Sequence, residues 1–220
     1  MSRRSHFPLA LLRFSCGLLL LVLLGAGHAR ASHNLAGDIT YRYLGGNQVE
    51  ITVTTFTDPS AAQVDRCNID VEIWGSGGTV PIATLTNIPR QNGQFGVDPL
   101  FPGVTCPSAQ MGEYIRGTVK MNIYRVNYTF PGPGFYSVRY FDLARLNDII
   151  NMTNSGSQAF FIESSILINQ YLGNQNSPQF LNYPIDEACT GKLWTHNPGG
   201  YDPDGDSLAY KFVNCRQYNP

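Results

Sequence analysis

Residues 38–54 alternate apolar and polar side chains on both sides of a glycine pair: Asp38-Ile39-Thr40-Tyr41-Arg42-Tyr43, then Leu44-Gly45-Gly46-Asn47, then Gln48-Val49-Glu50-Ile51-Thr52-Val53-Thr54. A period of two marks half-buried strands, so the segment predicts a hairpin. A two-residue Gly45-Gly46 turn would oppose Tyr43 to Gln48 and Tyr41 to Glu50, mixing the faces. A three-residue loop, Gly45-Gly46-Asn47, opposes Tyr43 to Val49, Tyr41 to Ile51 and Ile39 to Val53. It also sets Arg42 across from Glu50 on the outer face. A one-residue slip would turn one arm inside out. The three-residue loop is therefore expected, with Asn47 in the left-handed conformation.

The same pattern recurs downstream. Ile69, Val71 and Ile73 alternate up to Trp74, and glycines from Gly75 to Gly78 end the run. Ile115, Val119, Met121 and Ile123 predict the apolar face of one strand around Gly117. Tyr136, Val138 and Tyr140 predict another, and Gln158–Asn169 a long one with Ile162, Ile166 and Ile168 in phase. Residues 143–157 read as a loop with a helical turn near Leu146–Ile150. About seven strands without long helical periodicity close most naturally as an Ig-like β-sandwich. Gly173–Pro178 is polar and proline-stopped, as linkers are. Beyond it, strands are expected at Pro178–Leu181 and Leu208–Val213. The expected organisation is a first sandwich module over 32–173 and the start of a second, truncated Ig/cadherin-like module over 174–220.

The front of the chain differs. Arg3, Arg4 and Arg13 precede the apolar run Cys16–Leu24, and Ala29-Arg30-Ala31 has the small-x-small form of a cleavage site. Residues 1–31 read as a signal peptide, since a spanning helix needs about 20 apolar residues. The remaining cysteines, Cys67, Cys106, Cys189 and Cys215, are even in number, which in an exported chain predicts disulfides. Four cysteines allow three pairings; the module division favours Cys67–Cys106 and Cys189–Cys215. Zinc is the weaker reading, because there is no Cys-x-x-Cys.

Composition removes several classes of function. The formal charge is −1 and only 14% of residues are charged, with no basic block to serve nucleic acid. There is no Gly-x-Ser-x-Gly elbow and no His-Glu-x-x-His. The two histidines of the mature chain, His33 and His196, fall in different modules, short of a copper site. Glu72, Glu113 and Glu163 are the carboxylates that glycoside hydrolysis would need, but strand carboxylates usually face water. The sequons at Asn127-Tyr128-Thr129 and Asn151-Met152-Thr153 read as chance.

The densest charge lies in Tyr201-Asp202-Pro203-Asp204-Gly205-Asp206-Ser207-Leu208. Three carboxylates this close repel unless water or a cation screens them. One reading is a turn, with Pro203 fixing φ and Gly205 allowing it to be positive. An EF-hand fails, because its glycine and bidentate-glutamate positions hold Ser207 and Val213.

Two stretches resemble a known family. Ser32–Tyr41 with Leu44-Gly45-Gly46-Asn47 is similar to the mature start of large Bacteroidetes surface proteins. These carry PKD or gliding-motility-associated C-terminal domains. Asn176-Ser177-Pro178-Gln179-Phe180, Ala188-Cys189, His196-Asn197-Pro198-Gly199, Asp202–Leu208 and Cys215 look like that family's next module. The resemblance implies export to the bacterial cell surface, a tandem of β-sandwich modules, gliding or attachment, and type IX secretion. The aspartates further resemble calcium sites between cadherin-like modules. That resemblance implies calcium held by Asp202, Asp204, Asp206 and Asn176, with Asn174 or the more distant Glu163 as added ligands. The expected role is structural or adhesive and non-catalytic. Expected partners are further modules of the same chain, surface polysaccharide or other surface proteins, without nucleic acid or a membrane span. The alternative is a carbohydrate-binding module of a secreted polysaccharide-acting enzyme.

Overall fold

The computed structural model describes residues 34–58, 65–97, 105–116, 119–169, 171, 173, 175–184, 188–214 and 216–218, without the side chains of 94–97, 105–111 and 116. The expected signal peptide, the Cys106 side chain and Cys215 lie outside these residues. Ala31–Pro220 forms one compact unit.

Twelve strands are described: β1 Asn34–Gly45, β2 Gln48–Thr57, β3 Asn68–Gly75, β4 Ala83–Pro89, β5 Gln94–Val97, β6 Thr105–Met111, β7 Glu113–Arg116, β8 Val119–Thr129, β9 Gly134–Asp142, β10 Phe160–Ile168, β11 Gln179–Phe180 and β12 Gly200–Tyr201. One sheet has the order β1-β2-β8-β7 and the other β10-β9-β3-β4. All of these pairings are antiparallel. Ile39, Val49, Ile51, Val53, Tyr124 and Phe130 on the first sheet's side meet Ile69, Val71, Ile73, Val138, Tyr140, Ile166 and Ile168 from the second. The protein is an all-β sandwich. Alternate residues of each strand face this shared core because the pleat sends successive side chains to opposite faces.

The first hairpin has the expected register: Tyr43 opposes Val49, Tyr41 Ile51, Ile39 Val53 and Arg42 Glu50. Its turn is built differently. Gly45 opposes Gln48 after a register shift between Tyr43 and Gly45, so a bulge at Leu44 supplies the extra residue. The positive φ values fall on Gly45 (133°) and Gly46 (56°), leaving Asn47 with none. Glycine takes such values without the Cβ clash that asparagine would meet.

Strand β8 reverses an expectation. Ile115 and Val119–Ile123 are not one strand: β7 and β8 are a hairpin in which Tyr114 opposes Lys120. Within β8 the inward residues are Lys120, Asn122 and Tyr124, while Met121 and Ile123 stay half-buried on the other face. Pairing with β2 dictates this: Tyr124 opposes Val53, Asn122 opposes Thr55 and Lys120 opposes Thr57. With Tyr124 committed to the core, unbroken alternation carries two polar residues inward with it.

Three smaller differences follow from tertiary pairing. The short helical turn is 3-10 and spans Ser155–Ser157, downstream of 146–150. Strand β11 pairs with β12 (Gln179 opposite Tyr201, Phe180 opposite Gly200), and Leu208–Val213 forms no strand. Cys67 is disulfide-bonded, whereas Cys189 is an exposed free thiol. Cys215, the partner expected for Cys189, lies outside the described residues. Cys189 lies in an exposed stretch between β11 and β12, with no described pairing that brings a second cysteine to it.

Candidate functional site

The linker does not hang free. Sheet order leaves β1 at an edge, where outward N–H groups invite pairing with other chains. Asn176 and Ser177 cover that edge. The Tyr43 N–H donates to Asn176 Oδ1 (2.9 Å), the Tyr41 N–H to Ser177 Oγ (2.8 Å), and the Ser177 N–H to the Tyr41 carbonyl (3.0 Å). Ser177 is buried as a result. Further on, Tyr183 packs edge-on against Phe56 at 5.7 Å.

The aspartate turn fastens the same linker. Asp202 Oδ1 accepts the N–H of Asp204 (2.8 Å) and of Asp206 (3.4 Å), and the Gly205 N–H reaches the Asp202 carbonyl (3.2 Å). Gly205 has φ 86°, which closes this turn. Asp204 points back to the linker: its carboxylate accepts both the backbone N–H (2.6 Å) and the Nδ2 (2.8 Å) of Asn176. Burial, with smaller contributions from Tyr43 and then from Asp202 and Asp204, pushes the Tyr41 phenol up to about 12.

For calcium this donor set fits only in part. Asp202, Asp204 and Asp206 share one exposed turn, but the Asn176 carbonyl that would face a cation instead accepts the Tyr43 N–H. Asn176 turns its Nδ2 donor toward Asp204, so in this arrangement it serves as a clasp. Glu163 is engaged elsewhere, 3.2 Å from Arg139 and 2.8 Å from Arg216. Asn174 lies outside the described residues. Among the described residues no group of three or more His, Cys, Asp or Glu side chains is arranged to hold a metal.

The carboxylates considered for hydrolysis also find partners. Arg139 on β9 is flanked in register by Glu72 on β3 and Glu163 on β10. Its guanidinium lies 4.3 Å over the Trp74 ring, and the Trp74 indole N–H donates to Glu72 (2.8 Å). Residues 216–218 cross this outer face: Tyr218 stacks on Phe141 at 3.7 Å, and Gln217 bonds Gln158 at 2.8 Å. Glu113 is exposed and His196 is exposed. His33 lies outside the described residues.

Sequence reasoning passed over the most buried polar cluster. Asp65 and Lys120 are wholly buried and form an ion pair, joined by Thr57 and Asn122. Arg90, also buried, donates to Asn122 Oδ1 (2.9 Å). Nearby, Arg66 makes a two-pronged bond to Asp142 at 2.9 and 3.0 Å. The available signal was parity: Lys120 and Asn122 share Tyr124's face.

Searches of protein-family models, of curated proteins and of solved structures find no match to this chain. What fold and site define is a class: an Ig-like antiparallel β-sandwich whose C-terminal segment is clasped across one edge and one outer face. Among the described residues, no helix is long and apolar enough to cross a membrane.

Proposed function

We propose that this chain is a non-catalytic, structural or adhesive part of a secreted, multi-module bacterial cell-surface protein. Its immediate partners are further β-sandwich modules of the same polypeptide. One observation carries the reading. After the clasp, the chain runs past exposed apolar side chains, including Leu193 (98% exposed), Phe212 (107%) and Val213 (71%). On this reading, that exposed apolar surface is where another module or partner packs. The family resemblance of residues 176–215 supports the same reading, as do the export signal and the surface attachment or gliding that the resemblance implies. Calcium belongs to it as a ligand of Asp202, Asp204 and Asp206, stiffening the approach to the next module.

Protease shaving of intact cells that naturally make the protein tests location: release of fragments bearing residues 176–214 supports surface display, and full protection in intact cells refutes it. For calcium, calorimetry at millimolar metal should give heat that an Asp204→Asn, Asp206→Asn variant lacks; equal heat from both removes calcium from the reading. The second reading is a carbohydrate-binding module of a polysaccharide-acting enzyme. It draws on the half-exposed Trp194 and Tyr210 rings, which offer faces for sugar stacking. A glycan array without hits would discard it.

A further inference from the structure

The Asp65–Lys120 pair is costly as a plain ion pair. Both side chains have no exposure. Removing two charges from water is costly, and an apolar pair of similar volume would fill the space as well or better. The surroundings are also unusually specific. Lys120 Nζ and the Gly112 N–H (3.2 Å) both address Asp65 Oδ2. Asp65 Oδ1 accepts from the Thr57 hydroxyl (2.6 Å) and Asn122 Nδ2 (3.0 Å). Arg90 fixes the Asn122 amide so that its N–H₂ group faces the carboxylate. Gly112 is placed by necessity: a Cβ there would meet the Met121 carbonyl at 2.5 Å and Asn122 Oδ1 at 2.6 Å.

We propose that Lys120 and Asp65 condense into an intramolecular isopeptide bond, making this cluster a self-modifying cross-linking site. The chemistry needs no added reagent. In the first step a proton passes from Nζ to Oδ2 along the existing contact. That leaves a neutral amine facing a neutral carboxylic acid. The nitrogen lone pair forms a bond to Asp65 Cγ, and negative charge collects on Oδ1. Thr57 and Asn122 already donate to that atom, as an oxyanion hole does. The tetrahedral centre collapses and the Cγ–Oδ2 bond breaks. Oδ2 departs as water with the proton it received and a second proton from the attacking nitrogen. Ammonium and carboxylate become one amide and one water, and nothing is oxidised or reduced. Fixed juxtaposition in the core supplies the effective concentration such a condensation requires.

The bond would tie the segment before β3 to β8, two residues from the Cys67 disulfide. Two covalent ties at that crossover suit a module loaded in tension.

The test is mass spectrometry on the folded, monodisperse full chain after disulfide reduction. The expected mass is one water below that of the sequence from its observed N-terminus. A digest should contain a branched peptide joining the Asp65 and Lys120 segments, absent from a Lys120→Arg variant. The branched peptide is read in the native chain, so the result stands even where the variant fails to fold. Full sequence mass in the folded native chain overturns the proposal and leaves an ordinary buried ion pair. Loss of ammonia instead of water places the bond on Asn122 and overturns the assignment to Asp65.

Discussion

Replacing Asn176 and Ser177 with alanine should unfasten the linker from β1 without unfolding the sandwich. Four side-chain bonds are lost: Tyr43 N–H to Asn176, Tyr41 N–H to Ser177, the long bond from the Ser177 hydroxyl to the Tyr41 carbonyl (3.3 Å), and Asn176 Nδ2 to Asp204. The last is exposed and counts for little. The first two are part-buried, and at about 1 kcal/mol each they sum to about 2 kcal/mol of local stability. That corresponds to roughly 30-fold faster opening of this edge, since 1.4 kcal/mol is a factor of ten. Amide hydrogen exchange reads it directly at Tyr41, Tyr43 and Ser177. Amides of β9 and β10, on the other sheet, should keep their protection. The same variant should be cut faster by protease around 176–177, where Ser177 is buried in the native chain. Unchanged exchange at Tyr41 and Tyr43 would show that the edge is not held by these bonds. A matching loss of protection in β9 would show that the linker belongs to the global core and is no separable clasp.

Other expectations follow from single positions. Burial raises the Asp38 carboxyl above its ordinary 3.8, only partly offset by its bond to Thr54, and its Oδ1 has no partner. The unfolded chain thus ionises first as pH rises, and stability falls through that interval. Asp38→Asn should raise Tm at neutral pH, with the gain vanishing below pH 3.8; a gain independent of pH would contradict this cause. Gly112→Ala forces the chain just before β7 away from Met121 and Asn122 on β8 and should cost about 1–3 kcal/mol in denaturant unfolding. An unchanged midpoint would mean the strands yield freely. Alkylation without reduction should label Cys189 and spare Cys67, as peptide mapping would show; a protected Cys189 would mean that it is paired.

Local periodicity determined a good deal of this protein by itself. Strands with one committed apolar face, such as Val49–Val53, Val71–Ile73 and Ile162–Ile168, could be read directly, because each local choice agreed with the core it joined. The β1–β2 register could be derived for the same reason: any slip would expose Ile39 and Ile51. What sequence could not decide was every position settled by a distant partner. The parity of β8 depended on its pairing with β2, and it sent Lys120 and Asn122 into the core, where Asp65, 55 positions away from Lys120, receives them. The aspartates after Tyr201 advertised a turn or a cation, yet Asp204's hold on Asn176 spans 28 residues and exists only once the chain has folded back. Short-range steric and hydrophobic preferences are written along the chain. The fate of a buried charge or a stray linker depends on who arrives beside it, and only the tertiary structure decides that.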